Sequence, residues 1–161
     1  MTQISENQTV IAENLFSFED DTPTLLGSYC ADCDEHFFPQ QRACTKCPTE
    51  TLENVELGST GTLWSWTVQC FAPKPPYRPS TTTEQFEPYG VGYVELTCGL
   101  KVEARLLSDN PSPTGNGKPG ESAATFRIGD KMQLTIVPFF HDEEGREVLS
   151  FAFRPLTETP S

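Results

Sequence analysis

The sequence predicts a mainly β protein, and three observations carry that reading. There are 14 Pro and 11 Gly in 161 residues, four of the six cysteines fall in two Cys-x-x-Cys pairs, and the chain beyond position 57 contains stretches in which apolar and polar residues alternate. Abundant Pro and Gly imply many turns and short strands. The apolar share of 36% is low for one large core, so a small metal-stapled module joined to a domain of about 100 residues is expected.

The N-terminal segment, residues 1–24, begins polar and continues as VIAENLFSFEDD. Ile11, Leu15 and Phe18 lie at i, i+4 and i+7, which predicts a short amphipathic helix that packs as an arm or docks on another subunit.

Residues 25–57 read as strand, knuckle, strand, knuckle, strand: LLGSY, CADC, EHFFP, CTKC and TLENVEL. Each Cys-x-x-Cys makes a tight turn whose backbone N–H groups can face thiolate sulfurs. Two such turns brought together, here Cys30 and Cys33 with Cys44 and Cys47 across a ten-residue spacer, give a four-sulfur tetrahedral site. Four thiolates suit Zn2+, and the site has no open position for water or substrate, so its expected role is structural. Iron takes the same ligands, but electron transfer would need redox partners that nothing in the sequence indicates.

From residue 58 to 156 the period becomes two. In LWSWTVQC the alternation puts Trp64, Trp66, Val68 and Cys70 on one face, read as core packing. A Pro-rich loop over residues 71–88 follows. GVGYVEL and LKVEARLL then meet across Thr97, Cys98 and Gly99 as a hairpin, with Leu100, Val102, Ala104 and Leu106 inward and Lys101, Glu103 and Arg105 outward. Residues 108–125 are a polar loop rich in Pro, Gly, Ser and Asn. The last pair, KMQLTIV and EVLSFAF, is joined through HDEEG. A strand, a loop, a hairpin, a long connection and a final hairpin is the element order of an OB-fold, the five-stranded Greek-key barrel. Residues 157–161 form a tail.

The formal charge is −12 and unevenly spread. Residues 1–29 carry five acids and no Lys or Arg, residues 30–57 six acids against two bases, and the remainder twelve acids and nine bases. Such a surface repels polyanions overall, yet leaves room for a small anionic ligand at a local cluster of bases. MTQISENQTV has no basic and apolar leader pattern, and no stretch approaches the roughly 18 apolar residues of a membrane span, so a cytoplasmic, soluble protein without a membrane partner is expected. A reducing compartment agrees with metal, rather than disulfides, for the paired cysteines.

LLGSYCADCDEHFFPQQRACTKC, then GTLWSWTV, PYGVGYVEL and FRIGDKMQL, resemble the family that joins a rubredoxin-like zinc ribbon to an acyl-CoA-associated OB-fold (domain of unknown function 35). The resemblance covers roughly residues 12–155 and rests on the ordered set rather than on any single motif. It implies a non-catalytic companion subunit of a thiolase, a lipid-transfer-type aldolase, a hydroxymethylglutaryl-synthase-like acyltransferase or an enoyl-CoA hydratase. Docking on the partner dimer as a two-plus-two heterotetramer, and help in holding an acyl-CoA, are further implications. The polar loop over residues 108–125 and the acidic N-terminus depart from the usual pattern.

A coenzyme A thioester needs cations for its phosphates and an apolar wall for its pantetheine arm. Lys74 and Arg78 flank Tyr77 in the Pro-rich loop, and Lys101 and Arg105 share the outer face of one strand; these four are the candidate phosphate contacts, with Arg127 and Lys131 further along. No catalytic residue is assigned. His36 lies inside the ribbon and His141 at a hairpin end, neither with an evident partner, while Cys70 and Cys98, on or beside strands, read as small apolar residues. The competing reading is a nucleic-acid module, since zinc ribbons and OB-folds both serve that role and Trp64 and Trp66 could stack bases; the acidity opposes it.

Overall fold

The computed structural model describes residues 4–18, 22–74, 86–107 and 126–156. Among these residues ten strands build two sheets: β1 (Gln8–Val10), β2 (Phe16–Ser17), β3 (Thr24–Cys30), β4 (Glu35–Phe37), β5 (Glu53–Gly58), β6 (Thr60–Gln69), β7 (Tyr89–Leu96), β8 (Lys101–Leu106), β9 (Lys131–His141) and β10 (Glu147–Pro155). No described helix is long and apolar enough to cross a membrane.

β6, β7 and β8 form an antiparallel meander, β9 and β10 a long hairpin, and β10 closes parallel onto β8 while β9 returns to β6. This closed five-strand circuit is the expected OB-fold barrel. Alternation along β8 turns Val102, Ala104 and Leu106 inward and Lys101, Glu103 and Arg105 outward, as the sequence predicts. The β7–β8 turn is closed by Gly99 N–H to Leu96 O at 2.8 Å, with Gly99 at φ 88°. Glycine is the residue that adopts this left-handed conformation without steric cost.

β3 is the centre of the smaller sheet, pairing antiparallel with β2, β4 and β5. It is tightly covered: a Cβ on Gly27 would run into Phe37 O and lie 2.6 Å from Leu57 Cδ1. The two sheets share one apolar core, in which Phe16, Leu25 and Leu57 of the ribbon side join Leu63, Val94, Met132, Leu134 and Phe153 of the barrel. Phe38 also meets Phe151 edge-on, centroids 5.6 Å apart.

Three expectations are corrected. The predicted N-terminal helix with Ile11, Leu15 and Phe18 does not form among the described residues; the segment supplies β1 and β2, with a turn between them. β8 covers β10 only at Ala152 and Phe153, leaving the backbone groups of residues 147–149 open, and β1 fills that place in parallel, extended by Ile11 N–H to Leu149 O at 2.8 Å. A short isolated helix is marginal, and Asn14 at φ 62° interrupts its continuation.

The second correction concerns β6. Leu63 pairs with Val94 and Ser65 with Tyr93, so Trp64 is the extra residue of a β-bulge. Beyond the bulge Trp66 and Val68 face the barrel side, opposite Gly92 and Gly90, but Trp64 stands outside at 53% exposure. Cys70 and Cys98 are also exposed rather than packed.

Candidate metal centre and ligand groove

The first knuckle leaves β3 at Cys30, turns through Asp34 at φ 54° and enters β4; Asp34 Oδ1 accepts a 2.9 Å hydrogen bond from Tyr29 Oη. The second is held by Cys44 N–H to Thr49 O at 3.0 Å, and Lys46 N–H points at Cys44 Sγ from 3.3 Å. Backbone N–H groups thus face sulfur, as the Cys-x-x-Cys turns predict. Between the knuckles, the fully buried Ser28 clamps the loop: its Oγ donates to Gln41 O at 3.1 Å and accepts from Gln41 N–H at 2.9 Å.

These constraints converge the four thiols. The sulfurs of Cys30, Cys33, Cys44 and Cys47 all lie within 4.8 Å of one another, with Cys30–Cys47 at 3.6 Å and Cys33–Cys44 at 3.9 Å. A tetrahedral zinc with Zn–S bonds of about 2.3 Å separates its sulfurs by about 3.8 Å, so the donor set fits the metal. When bound, zinc closes the tetrahedron and ties both knuckles together. Without it, the crowded thiols pull apart in acidity. Hydrogen bonding to Cys47, then burial, pushes Cys33 up to about 12, and burial raises Cys30. The Thr49 hydroxyl, 3.2 Å from Cys47 Sγ, and the Thr49 N–H bring Cys47 down to about 6. His36 stands against Tyr29, ring centroids 4.8 Å apart, a packing position in β4.

The three candidate cations among the described residues do not form one cluster. Lys74 is exposed at the end of a described stretch, and Arg78 lies outside the described residues. Lys101 is answered by Glu95 at 3.1 Å and sits 4.9 Å above the Trp64 ring. Arg105, four residues on along the same face, stacks on Tyr89 at 4.4 Å and lines a groove of about 320 Å³ between the outer face of β7 and β8, the β9–β10 hairpin and Ile11 of the arm. Sequence reasoning placed Arg105 outward, but missed the groove. Its walls come from five separated segments, and Ile11 reaches it only because the arm is a strand. The exposed pair Trp64 and Tyr93, edge-on at 6.4 Å, was missed for a similar reason, since no local signal marks the bulge.

Comparison with known proteins agrees with this architecture. Two family profiles match in succession, the rubredoxin-like zinc ribbon domain of ChsH2 over residues 20–53 and the C-terminal OB-fold domain of ChsH2 over residues 54–137. Among similar proteins, the benzoylsuccinyl-CoA thiolase subunit BbsA of Thauera aromatica is 27% identical over 134 residues, covering 83% of this chain and 78% of that protein. A DUF35 domain-containing scaffold protein of Methanothermobacter thermautotrophicus is 26% identical over 138 residues, covering 83% and 87%. The solved structure of an Ltp2-ChsH2(DUF35) aldolase contains a chain that is 26% identical and superposes with a TM-score of 0.53, over 82% of this chain and 84% of that one. The ordered ribbon and barrel, the converged cysteines and these matches together make the chain a member of the ChsH2 (DUF35) family of zinc-ribbon and OB-fold proteins.

Proposed function

We propose that this chain is a non-catalytic accessory subunit of a cytoplasmic acyl-CoA-processing complex, in which a thiolase- or aldolase-type partner supplies the reactive groups. The observation that carries the reading is a four-thiol ribbon and a closed barrel sharing one core, in a chain similar over 83% of its length to proteins named as a thiolase subunit and a scaffold protein. A four-thiolate zinc site has no vacant coordination position, so the metal would organise the protein rather than activate a substrate. The ribbon and arm would make the protein contact in a two-plus-two heterotetramer. The barrel would approach the acyl-CoA, with Lys74, Arg78 and Lys101 as cations for its phosphates and Arg105 as the cation for an anionic group on its acyl part.

The test is to co-purify the tagged chain from its native cells and measure zinc content with the identity and stoichiometry of what accompanies it. One zinc per chain and an equimolar thiolase- or aldolase-like protein is the expected outcome. Turnover of acyl-CoA esters by the chain alone would defeat the division of labour. One observation favours a second reading: Trp64 and Tyr93 stand exposed beside Lys101 on the outer sheet face, an arrangement able to stack bases. Glu95 neutralises that lysine and the net charge is −12. Salt-sensitive retention on single-stranded DNA or RNA would establish this alternative; no retention at low salt would remove it.

A further inference from the structure

The groove beside the N-terminal arm holds a charge that the described residues leave unanswered. Arg105 is fixed there by its stack on Tyr89, its Nε is closed to solvent, and that Nε has no hydrogen-bond acceptor among the described residues. None of the described ion pairs includes it, whereas Lys101 on the same face is paired with Glu95. Glu103 also lines the groove, and one of its carboxylate oxygens accepts from Tyr93 Oη at 3.2 Å. The rest of the wall is largely carbon: Ile11, Val91, Val137, Phe139 and Phe151.

A guanidinium in apolar surroundings is stable when an anion completes it, and its fork matches one carboxylate with two parallel hydrogen bonds. At about 320 Å³ the groove is at the small end of ligand pockets. Among the described residues it offers a single cation, too few for the clustered phosphates of a nucleotide. We propose that this groove binds the carboxylate of a compact acid with an aliphatic or aromatic body, Arg105 being the anchor and Tyr89 the residue that positions it. The body lies against Val137, Phe139 and Phe151. If the chain serves an acyl-CoA enzyme, the ligand is an acyl group bearing its own carboxylate; that extension rests on the accessory-subunit reading, while the binding site does not.

The experiment titrates the zinc-loaded full chain with 4-phenylbutyrate and with its neutral amide, followed by calorimetry and by the NMR shifts of Val137 and Phe139. The expected result is binding of the acid in the groove at least about tenfold tighter than the amide, the scale of a charged hydrogen bond. Arg105→Gln should abolish that preference while zinc content and melting temperature hold, and Arg105→Lys should restore part of it. Equal binding of acid and amide by the unaltered chain would overturn the proposal without reference to any variant. So would an acid preference that survives Arg105→Gln, or displacement of the acid by ADP, which would make the groove a phosphate site. Because no partner enzyme is present, a failed co-purification and a failed titration are separate results.

Discussion

Single residues decide how well the ribbon is held between its knuckles. Ser28 is wholly buried, and both its hydrogen bonds go to the backbone of Gln41. Ser28→Ala should cost about 1–3 kcal/mol, because a backbone donor and acceptor lose their partner where water does not reach easily; denaturant unfolding of the zinc-loaded chain measures it. The cysteines were legible in the sequence, since Cys-x-x-Cys spacing is a local geometric requirement. Ser28 was not, because a serine in a strand looks the same whether it faces water or clamps a loop thirteen positions away. Arg105 was half legible. Alternation put it on the outer face, but its apolar surroundings are assembled by the fold.

At the scale of elements, the hairpins could be read because both strands and their turn lie in one continuous stretch. The β9–β10 turn shows the chemistry: Asp142 Oδ1 accepts from the backbone N–H of Glu144 and Arg146, at 3.0 and 2.8 Å, and Oδ2 accepts from Arg146 Nε at 2.9 Å. Burial would raise the Asp142 pKa, but these bonds outweigh it and hold the group below the ordinary aspartate value. A carboxylate with a depressed folded pKa stabilises the protein above its unfolded value, about 3.9, and that contribution fades as pH falls through the lower folded value. Asp142→Asn should therefore melt below the wild type at pH 7, with the gap closing as the pH drops below about 4; a gap constant across that window would rule the mechanism out. The bulge at Trp64 and the strand character of the arm escaped sequence reasoning. A bulge shifts register by one residue without a distinctive composition, and the arm's apolar spacing reads as a helix because its true partner, the open part of β10, lies nearly 140 residues away.

For the whole molecule, the shared core couples the metal centre to the barrel. Phe16, Leu25 and Leu57 pack into the same apolar cluster as Leu63 and Phe153, so the ribbon cannot loosen without exposing barrel side chains. Removing zinc with a chelator, or replacing Cys44 with Ala, should lower the melting temperature of the entire chain by about 10 °C or more, in one transition seen alike by far-ultraviolet dichroism and by Trp66 fluorescence. Two separated transitions would show that ribbon and barrel unfold independently. The overall architecture was legible because knuckle spacing and strand order each belong to a small set of folds; the joining of the two modules was not, since it depends on long-range contacts such as Phe38 with Phe151. The arm adds a further consequence. By occupying residues 147–149 of β10, β1 covers a stretch of backbone that would otherwise be a sticky template for a strand from another molecule. Residues 8–10 thus act as the chain's own gatekeeper, and a shortened chain lacking them would be prone to donor-strand exchange and self-association.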